Sequence, residues 1–287
     1  MKRCTIIANK GAGSFSQTKL DAACRRLSAS GREVELIACG DFSEMTATSA
    51  ELAKSAAAPL IIAAGGDGTI NAVFSGLSGC NASCAILPLG TANVLAIELG
   101  MQSAETAVER IIAGNLRPLT AGMICNSQKS SRFFLMAGIG FDGRVVRGVT
   151  PSLKNRIGKG AYLLSALRNL ASWESGELTV TTEERSFTCH SIILCNAAHY
   201  GGAFRLAQEA SLFSPTLEII AVTDCSRRAP VALAAKALLN HSGRSIEQLS
   251  ASRVQISGNK PLQADGDDWG DSPVEIFAES NFTNLIV

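Results

Sequence analysis

Three short apolar runs near the start of the chain each end in a glycine-bearing loop, and this arrangement constrains the fold more than any other feature of the sequence. Residues 5–8 lead into Asn9-Lys10-Gly11-Ala12-Gly13-Ser14, residues 60–64 into Gly65-Gly66-Asp67-Gly68-Thr69, and residues 84–87 into Pro88-Leu89-Gly90-Thr91-Ala92-Asn93. Residues 34–38 read as a further strand. Helical periodicity fills the intervals at residues 16–29, 43–57, 69–77, 91–99 and 104–113. Strands apolar on both faces and separated by helices belong to a parallel sheet covered on each side. All three loops then leave one edge of that sheet, at the carboxyl ends of its strands, where such sheets bind ligands.

Glycine in these loops has a direct physical reading. A phosphate held by backbone N–H groups needs close approach and φ angles that a Cβ forbids. Each loop also opens a helix, whose N-terminus favours an anion. The sequence therefore predicts a site for nucleotide phosphates. It lacks GxxxxGK[ST], a GxGxxG after its first strand, GxSxG and HExxH, which sets aside P-loop, dinucleotide-fold, α/β-hydrolase and zinc-protease chemistry.

From about residue 116 the pattern changes to period-two and β-branched segments at 133–141, 177–182, 187–196, 217–222, 253–257 and 274–278, which predicts a mostly antiparallel second half. Helical patterns interrupt it at 154–173 and 230–240. The net charge of +1 gives no overall field for nucleic acid, and no run of 18 uncharged apolar residues suggests a transmembrane helix. The nine cysteines are scattered without a CxxC pair, as expected of small buried hydrophobes in a reducing cytosol.

Gly65-Gly66-Asp67-Gly68-Thr69-Ile70-Asn71, followed by Pro88-Leu89-Gly90-Thr91-Ala92-Asn93, resembles the diacylglycerol kinase catalytic-domain family, which includes bacterial lipid kinases and sphingosine and ceramide kinases. Gly138-Ile139-Gly140-Phe141-Asp142, then Asn196 with Tyr200-Gly201-Gly202, then Gln263-Ala264-Asp265-Gly266-Asp267, extend the resemblance along nearly the whole chain. The resemblance implies an α/β fold in two domains. The first, residues 1–118, is a doubly wound parallel nucleotide-binding domain. The second, residues 119–287, is a mostly antiparallel β-sandwich whose C-terminal tail packs back on the first. The cleft between them carries ATP, Mg2+ and a lipid hydroxyl.

By resemblance, Asn9, Gly11, Gly13, Gly65, Gly66, Gly68, Thr69, Gly90, Thr91 and Asn93 contact the nucleotide, and Asp67 organises nucleotide and Mg2+. Asp142 lies near the acceptor. The family's glutamate at the base position is Asp267 here, one methylene shorter, with Asp265 and Asp268 able to take part. Phe213-Ser214-Pro215 stands where many members have Asp-Asp-Gly, so no structural magnesium is expected there. The resulting expectation is a cytoplasmic, ATP-dependent lipid kinase that reaches diacylglycerol or a related alcohol at a membrane surface. The basic segment from Lys154 to Arg168 either lies on that surface as an amphipathic helix or packs on the second domain as an ordinary helix, the reading its pattern favours. A homodimer stays open. The alternatives are an NAD-kinase-like soluble kinase and a nucleotide-binding protein that has lost transfer.

Overall fold

The computed structural model describes residues 3–9, 11, 15–55, 59–77, 79, 82–149, 165, 168, 176–200, 202, 204–224 and 245–287. Gly13, almost all of the 154–173 segment and the 230–240 segment lie outside the described residues. The chain divides into two compact units. One comprises Met1–Thr120, Gly201–Ala203 and Glu279–Val287, and the other Ala121–Tyr200 and Phe204–Ala278.

The first unit begins with the alternation β1 (Arg3–Asn9), α1 (Gln17–Ala29), β2 (Glu33–Cys39), α2 (Phe42–Ala53), β3 (Leu60–Gly65), α3 (Asp67–Ser75) and β4 (Ser83–Pro88). It continues with α4 (Val94–Glu98) and α5 (Ala104–Ala113). The strands stand in the order β2-β1-β3-β4, all parallel. The order reverses direction between β1 and β3, which is the switch point where such sheets open a crevice for ligands.

Local chemistry explains the helix ends. The Ser16 hydroxyl accepts the Lys19 N–H to start α1, and Leu20, Ala23 and Leu27 form its buried face. Asp41 accepts the Glu44 N–H at 2.9 Å, and the Glu44 carboxylate returns to the Gly40 N–H at 2.6 Å, a reciprocal pairing that starts α2. Helix α5 starts on Ser103 and stops on Gly114, which turns left-handed at φ 75°.

The second unit is a sandwich of antiparallel strands, built from β5 (Leu116–Cys125, entering from the first unit), β6 (Ser130–Phe133), β7 (Met136–Ile139), α6 (Phe141–Arg147), β8 (Leu178–Thr182), β9 (Ser186–Cys189) and β10 (Ser191–Cys195). There follow β11 (His199–Tyr200), β12 (Phe204–Arg205), β13 (Leu217–Val222), β14 (Ile246–Ala251), β15 (Arg253–Ser257), β16 (Pro261–Ala264), β17 (Asp267–Asp271) and β18 (Val274–Ile286). One sheet runs β14-β13-β10-β7-β16-β17, and a second layer runs β18-β15-β8-β9. Val180, Ile192, Leu194, Ile219, Val254, Ile256 and Ile276 interleave in its core. Gly122 faces Phe133 across β5 and β6, and a Cβ there would lie 2.1 Å from the ring, so the ring covers the glycine. Strand β18 leaves this unit, and its Asn284 and Leu285 pair in parallel with Ser83 and Cys84 of β4 in the first unit.

Several sequence-based boundaries are corrected. Residues 91–93 precede α4 instead of belonging to it, because Asn93 adopts left-handed dihedrals (φ 45°, ψ 48°) that end the loop. Residues 133–141, expected as one strand, contain a turn at Phe134–Leu135, the strand β7 and the start of α6. The strand stops at Gly140, whose φ of 93° suits glycine. Residues 187–196 are two strands that break at His190.

His190 is buried, and its Nδ1 lies 2.7 Å from the Ser191 hydroxyl. Burial, with Lys260 and Arg144 nearby, lowers its pKa to about 4. Among the described residues, the cysteines are free thiols and most are buried. No helix of the described residues is long and apolar enough to cross a membrane.

Candidate active site

In the first unit, parallel pairing places the ends of β1, β3 and β4 side by side, so the glycine loops that follow them share one sheet edge. The second and third loops touch. A Cβ on Gly90 would lie 2.3 Å from the Cα of Gly66, so the approach requires glycine at 90, whereas a Cβ on Gly66 would lie at a tight 3.3 Å from the Cα of Gly90. Gly65 is equally constrained, since its Cβ would lie 2.4 Å from the Oγ1 of buried Thr69. Gly68 differs: it is exposed, and a Cβ there would meet nothing within 4 Å. Helix α3 starts on Gly66 without a side-chain cap, which leaves its first N–H groups without intrahelical acceptors. The loop thus packs tightly on its protein side and opens at its helix N-terminus.

Each polar residue singled out in these loops has a definite place. Asn9 Oδ1 accepts the Gly11 N–H at 2.9 Å and so shapes the first loop. Asn93 folds onto Gly90: its Oδ1 accepts the Gly90 N–H at 3.0 Å, and its Nδ2 donates to the Gly90 carbonyl at 2.7 Å. Thr91 is exposed. Asp67 Oδ1 accepts the Leu95 N–H at 3.2 Å, which ties the start of α3 to the start of α4. Its Oδ2 makes no hydrogen bond among the described residues. No cluster of three His, Cys, Asp or Glu suited to a metal occurs among the described residues. A single carboxylate such as that of Asp67 could hold Mg2+, which takes few carboxylates and completes its shell with phosphate oxygens and water.

In the second unit, Asp265 and Gly266 are the two central residues of the hairpin joining β16 to β17, since Ala264 pairs with Asp267. Both have positive φ, 48° and 90°, the type I′ geometry for which Asp-Gly is the usual sequence. The Asp265 carboxylate accepts three backbone N–H groups, from Phe134 (2.8 Å), Leu135 (2.9 Å) and Met136 (3.0 Å). Its own N–H donates to the Met136 carbonyl. This capture turns the chain between β6 and β7, the break that periodicity alone did not reveal.

Asp268 is also engaged. Arg147 holds it with two bonds of 2.9 Å, and that pairing lowers the Asp268 pKa. Asp267 is exposed, and its side chain makes no hydrogen bond or ion pair among the described residues. The three acidic residues of the turn therefore stand in different states.

Asp142 is buried in the first turn of α6. Its Oδ1 accepts the Tyr200 hydroxyl, and its Oδ2 accepts Gln263 Nε2 at 2.7 Å. Burial raises its pKa from the ordinary carboxyl range, and the two hydrogen bonds oppose that rise. A Cβ on Gly138 would lie 1.9 Å from its Oδ2, so the glycine of β7 makes room for the carboxyl. The role of Gln263 was not apparent in the sequence. Its amide joins Asp142 to the hairpin by accepting the Gly266 N–H at 2.8 Å. An open groove of about 860 Å³ near the β5–β6 turn is lined by residues outside these motifs, among them Asn126, Ser257 and Glu275, with Lys129 Nζ 4.2 Å above the Trp269 ring.

Residues 3–124 match the diacylglycerol kinase catalytic domain, and residues 136–287 match the YegS C-terminal NAD kinase beta sandwich-like domain. The chain belongs to the diacylglycerol kinase catalytic-domain family. A relative within this kinase family, the diacylglycerol kinase of Bacillus subtilis, is 28% identical over 288 residues, covering 96% of this chain and 93% of that protein. An uncharacterised protein of Synechocystis sp. is 26% identical over 229 residues. That match covers 75% of this chain but spans only about half, 52%, of the relative. The crystal structure of a diacylglycerol kinase from Bacillus anthracis superposes with a TM-score of 0.76 at 19% identity, covering 99% of this chain and 96% of that one. An NAD kinase from Archaeoglobus fulgidus in complex with ATP superposes at 0.52 and 13% identity, covering 99% and 93%. Likeness at such identities shows the fold.

Two outcomes follow from this geometry. Gly90→Ala destabilises the first unit by about 1–3 kcal/mol through overpacking against Gly66. Gly68→Ala, which meets open space in the first turn of a helix, leaves stability unchanged or raises it by about 0.5 kcal/mol. Denaturant unfolding of both variants checks the contrast. Asp142 gives a pH signature. Its folded pKa is raised above 3.8, so its contribution to stability is greatest below that value and falls as pH rises through the folded pKa. Asp142→Asn lacks this titration. Melting temperatures taken from pH 4 to 8 are expected to move in favour of the variant, relative to the unsubstituted protein, as pH increases.

Proposed function

We propose that this protein is a lipid kinase that transfers the γ-phosphoryl group of ATP to the hydroxyl of diacylglycerol or a related lipid alcohol. The observation that carries this reading is the contact of the Gly66 and Gly90 loops at the carboxyl edge of parallel strands, beside an uncapped helix N-terminus. Such a surface offers backbone N–H groups and a positive helix end to a polyanion. Phosphoryl transfer needs mainly positioning and charge stabilisation, and this edge supplies both. Asp67 would hold Mg2+, which when bound neutralises charge on the β- and γ-phosphate oxygens.

Asn9 and Asn93 serve as shapers of the loops, since their side chains already bind the backbone at Gly11 and Gly90. Gly11, Gly13, Gly65, Gly66, Gly68, Thr69, Gly90 and Thr91 form the proposed donor site. Asp267 is the general base that takes the proton of the acceptor hydroxyl. Its side chain is exposed and makes no hydrogen bond among the described residues, whereas Asp265 is held by the backbone and Asp268 by Arg147. Asp265 is thus assigned to building the turn. The relatives named diacylglycerol kinase and "Probable lipid kinase YegS" favour a lipid acceptor, which the enzyme would meet at a membrane surface.

Radiolabelled ATP with Mg2+, offered diacylglycerol, monoacylglycerol, a sphingoid base and NAD in separate reactions, tests the proposal. Label is expected on a lipid and absent from NAD. Transfer to NAD alone would make the protein an NAD-kinase-like enzyme, and nucleotide binding without any transfer would mean that turnover has been lost. Asp267→Ala lowers kcat by about 10²–10⁴-fold, the usual contribution of a general base, with the KM for ATP little changed. Wild-type turnover in Asp267→Ala would remove the base assignment.

A further inference from the structure

We infer that Asp142 and Arg147, at the two ends of helix α6, are positioning residues that hold the backbone on either side of Asp267. This rests on the reading of Asp267 as the base.

The helix sits directly on the hairpin strands. A Cβ on Gly143 would lie 2.1 Å from the Pro261 carbonyl oxygen at the start of β16. From the first turn, the buried Asp142 carboxyl receives Gln263 Nε2, and Gln263 Oε1 receives the Gly266 N–H. That N–H belongs to the residue just before Asp267. From the last turn, Arg147 Nε and Nη2 bind the two oxygens of Asp268, the residue just after Asp267. Arg147 also reaches Asp271 Oδ1 at 3.0 Å through Nη1 and the Gly270 carbonyl at 2.6 Å through Nη2. One short helix therefore grips both flanks of a residue whose own side chain makes no hydrogen bond or ion pair among the described residues.

Magnitudes favour positioning over stability for the Arg147 contacts. The side chains of Arg147 and Asp268 are 37% and 42% exposed. Ion pairs so exposed add only about 0–1 kcal/mol to stability. A guanidinium fork making four bonds does, however, fix direction in a way that a point charge does not. A displacement of about 1 Å at a catalytic group can cost on the order of a hundredfold in rate, so small geometric control matters at Asp267. Asp142 is different in kind. Both of its oxygens are engaged inside the unit, which assigns it to the hairpin and removes it from contact with the acceptor.

The test is steady-state kinetics with ATP and diacylglycerol in detergent micelles. Arg147→Met is expected to lower kcat by about 10–100-fold, with the KM for ATP and the melting temperature little changed. Arg147→Lys, with charge but no fork, falls between the two. In an Asp267→Ala background, Arg147→Met should cost no more than about twofold further, because the group it positions is gone. Asp142→Asn should lower kcat without raising the KM for diacylglycerol, whereas an acceptor contact would raise that KM.

Unchanged kcat in Arg147→Met, or its full effect repeated in the Asp267→Ala background, overturns the role of Arg147. A raised KM for diacylglycerol in Asp142→Asn overturns the role of Asp142. If Arg147→Met does not fold, Arg147→Lys carries the same comparison with Asp267→Ala. Full turnover in Asp267→Ala, or no transfer by the unsubstituted protein, defeats the underlying reading and this inference with it.

Discussion

The constraint on which the candidate phosphate site depends is the contact of two backbones at Gly66 and Gly90. No side chain fits between them, since a Cβ on Gly90 would fall 2.3 Å from Gly66 Cα. With the loops pressed together, Asp67 can reach from the start of α3 to the Leu95 N–H at the start of α4. Asn93 can then close on Gly90 with both ends of its amide. The sheet beneath supplies the alignment, because parallel pairing of β3 with β4 brings both loops to one edge. The outer face of Gly68, by contrast, stays open. A phosphate-binding surface needs this combination of a rigid underside and an accessible row of N–H groups.

The second unit uses its charges differently. Three acidic residues lie within four positions of one hairpin, yet their surroundings separate them. Asp265 is an architectural anion that saturates three backbone donors and so bends the chain between β6 and β7. Asp268 is neutralised by Arg147. Asp267, between them, keeps an exposed carboxylate. Environment, more than sequence position, thus assigns the roles in this turn, as it does wherever neighbouring carboxylates divide tasks. Asp142 extends the same logic, because burial raises its pKa while Tyr200 and Gln263 satisfy its oxygens.

Much of the first unit was legible in the sequence, because parallel strands buried on both faces read as uninterrupted apolar runs and glycine marks their ends. The start of α4 was not, since the left-handed Asn93 looks like any other residue before a helix. In the second unit the local signals were weaker. The turn at Phe134–Leu135 is imposed by Asp265, about 130 residues away in sequence, and no window on residues 133–141 contains that information. The Asp-Gly pair at 265–266 did carry a hairpin signal, but nothing local to it shows that the Asp265 carboxylate reaches the backbone N–H groups of residues 134–136. Gln263, the link between Asp142 and the hairpin, bears no charge and belongs to no periodic pattern, so only the fold reveals it.

The central claim is that the touching loops at Gly66 and Gly90 form a phosphate cradle. Amide hydrogen exchange followed residue by residue, with and without saturating ATP and Mg2+, tests it most directly. The account predicts slowed exchange concentrated at residues 66–69 and 90–93. Calorimetrically confirmed ATP binding with no change at those amides, and protection elsewhere, would contradict it.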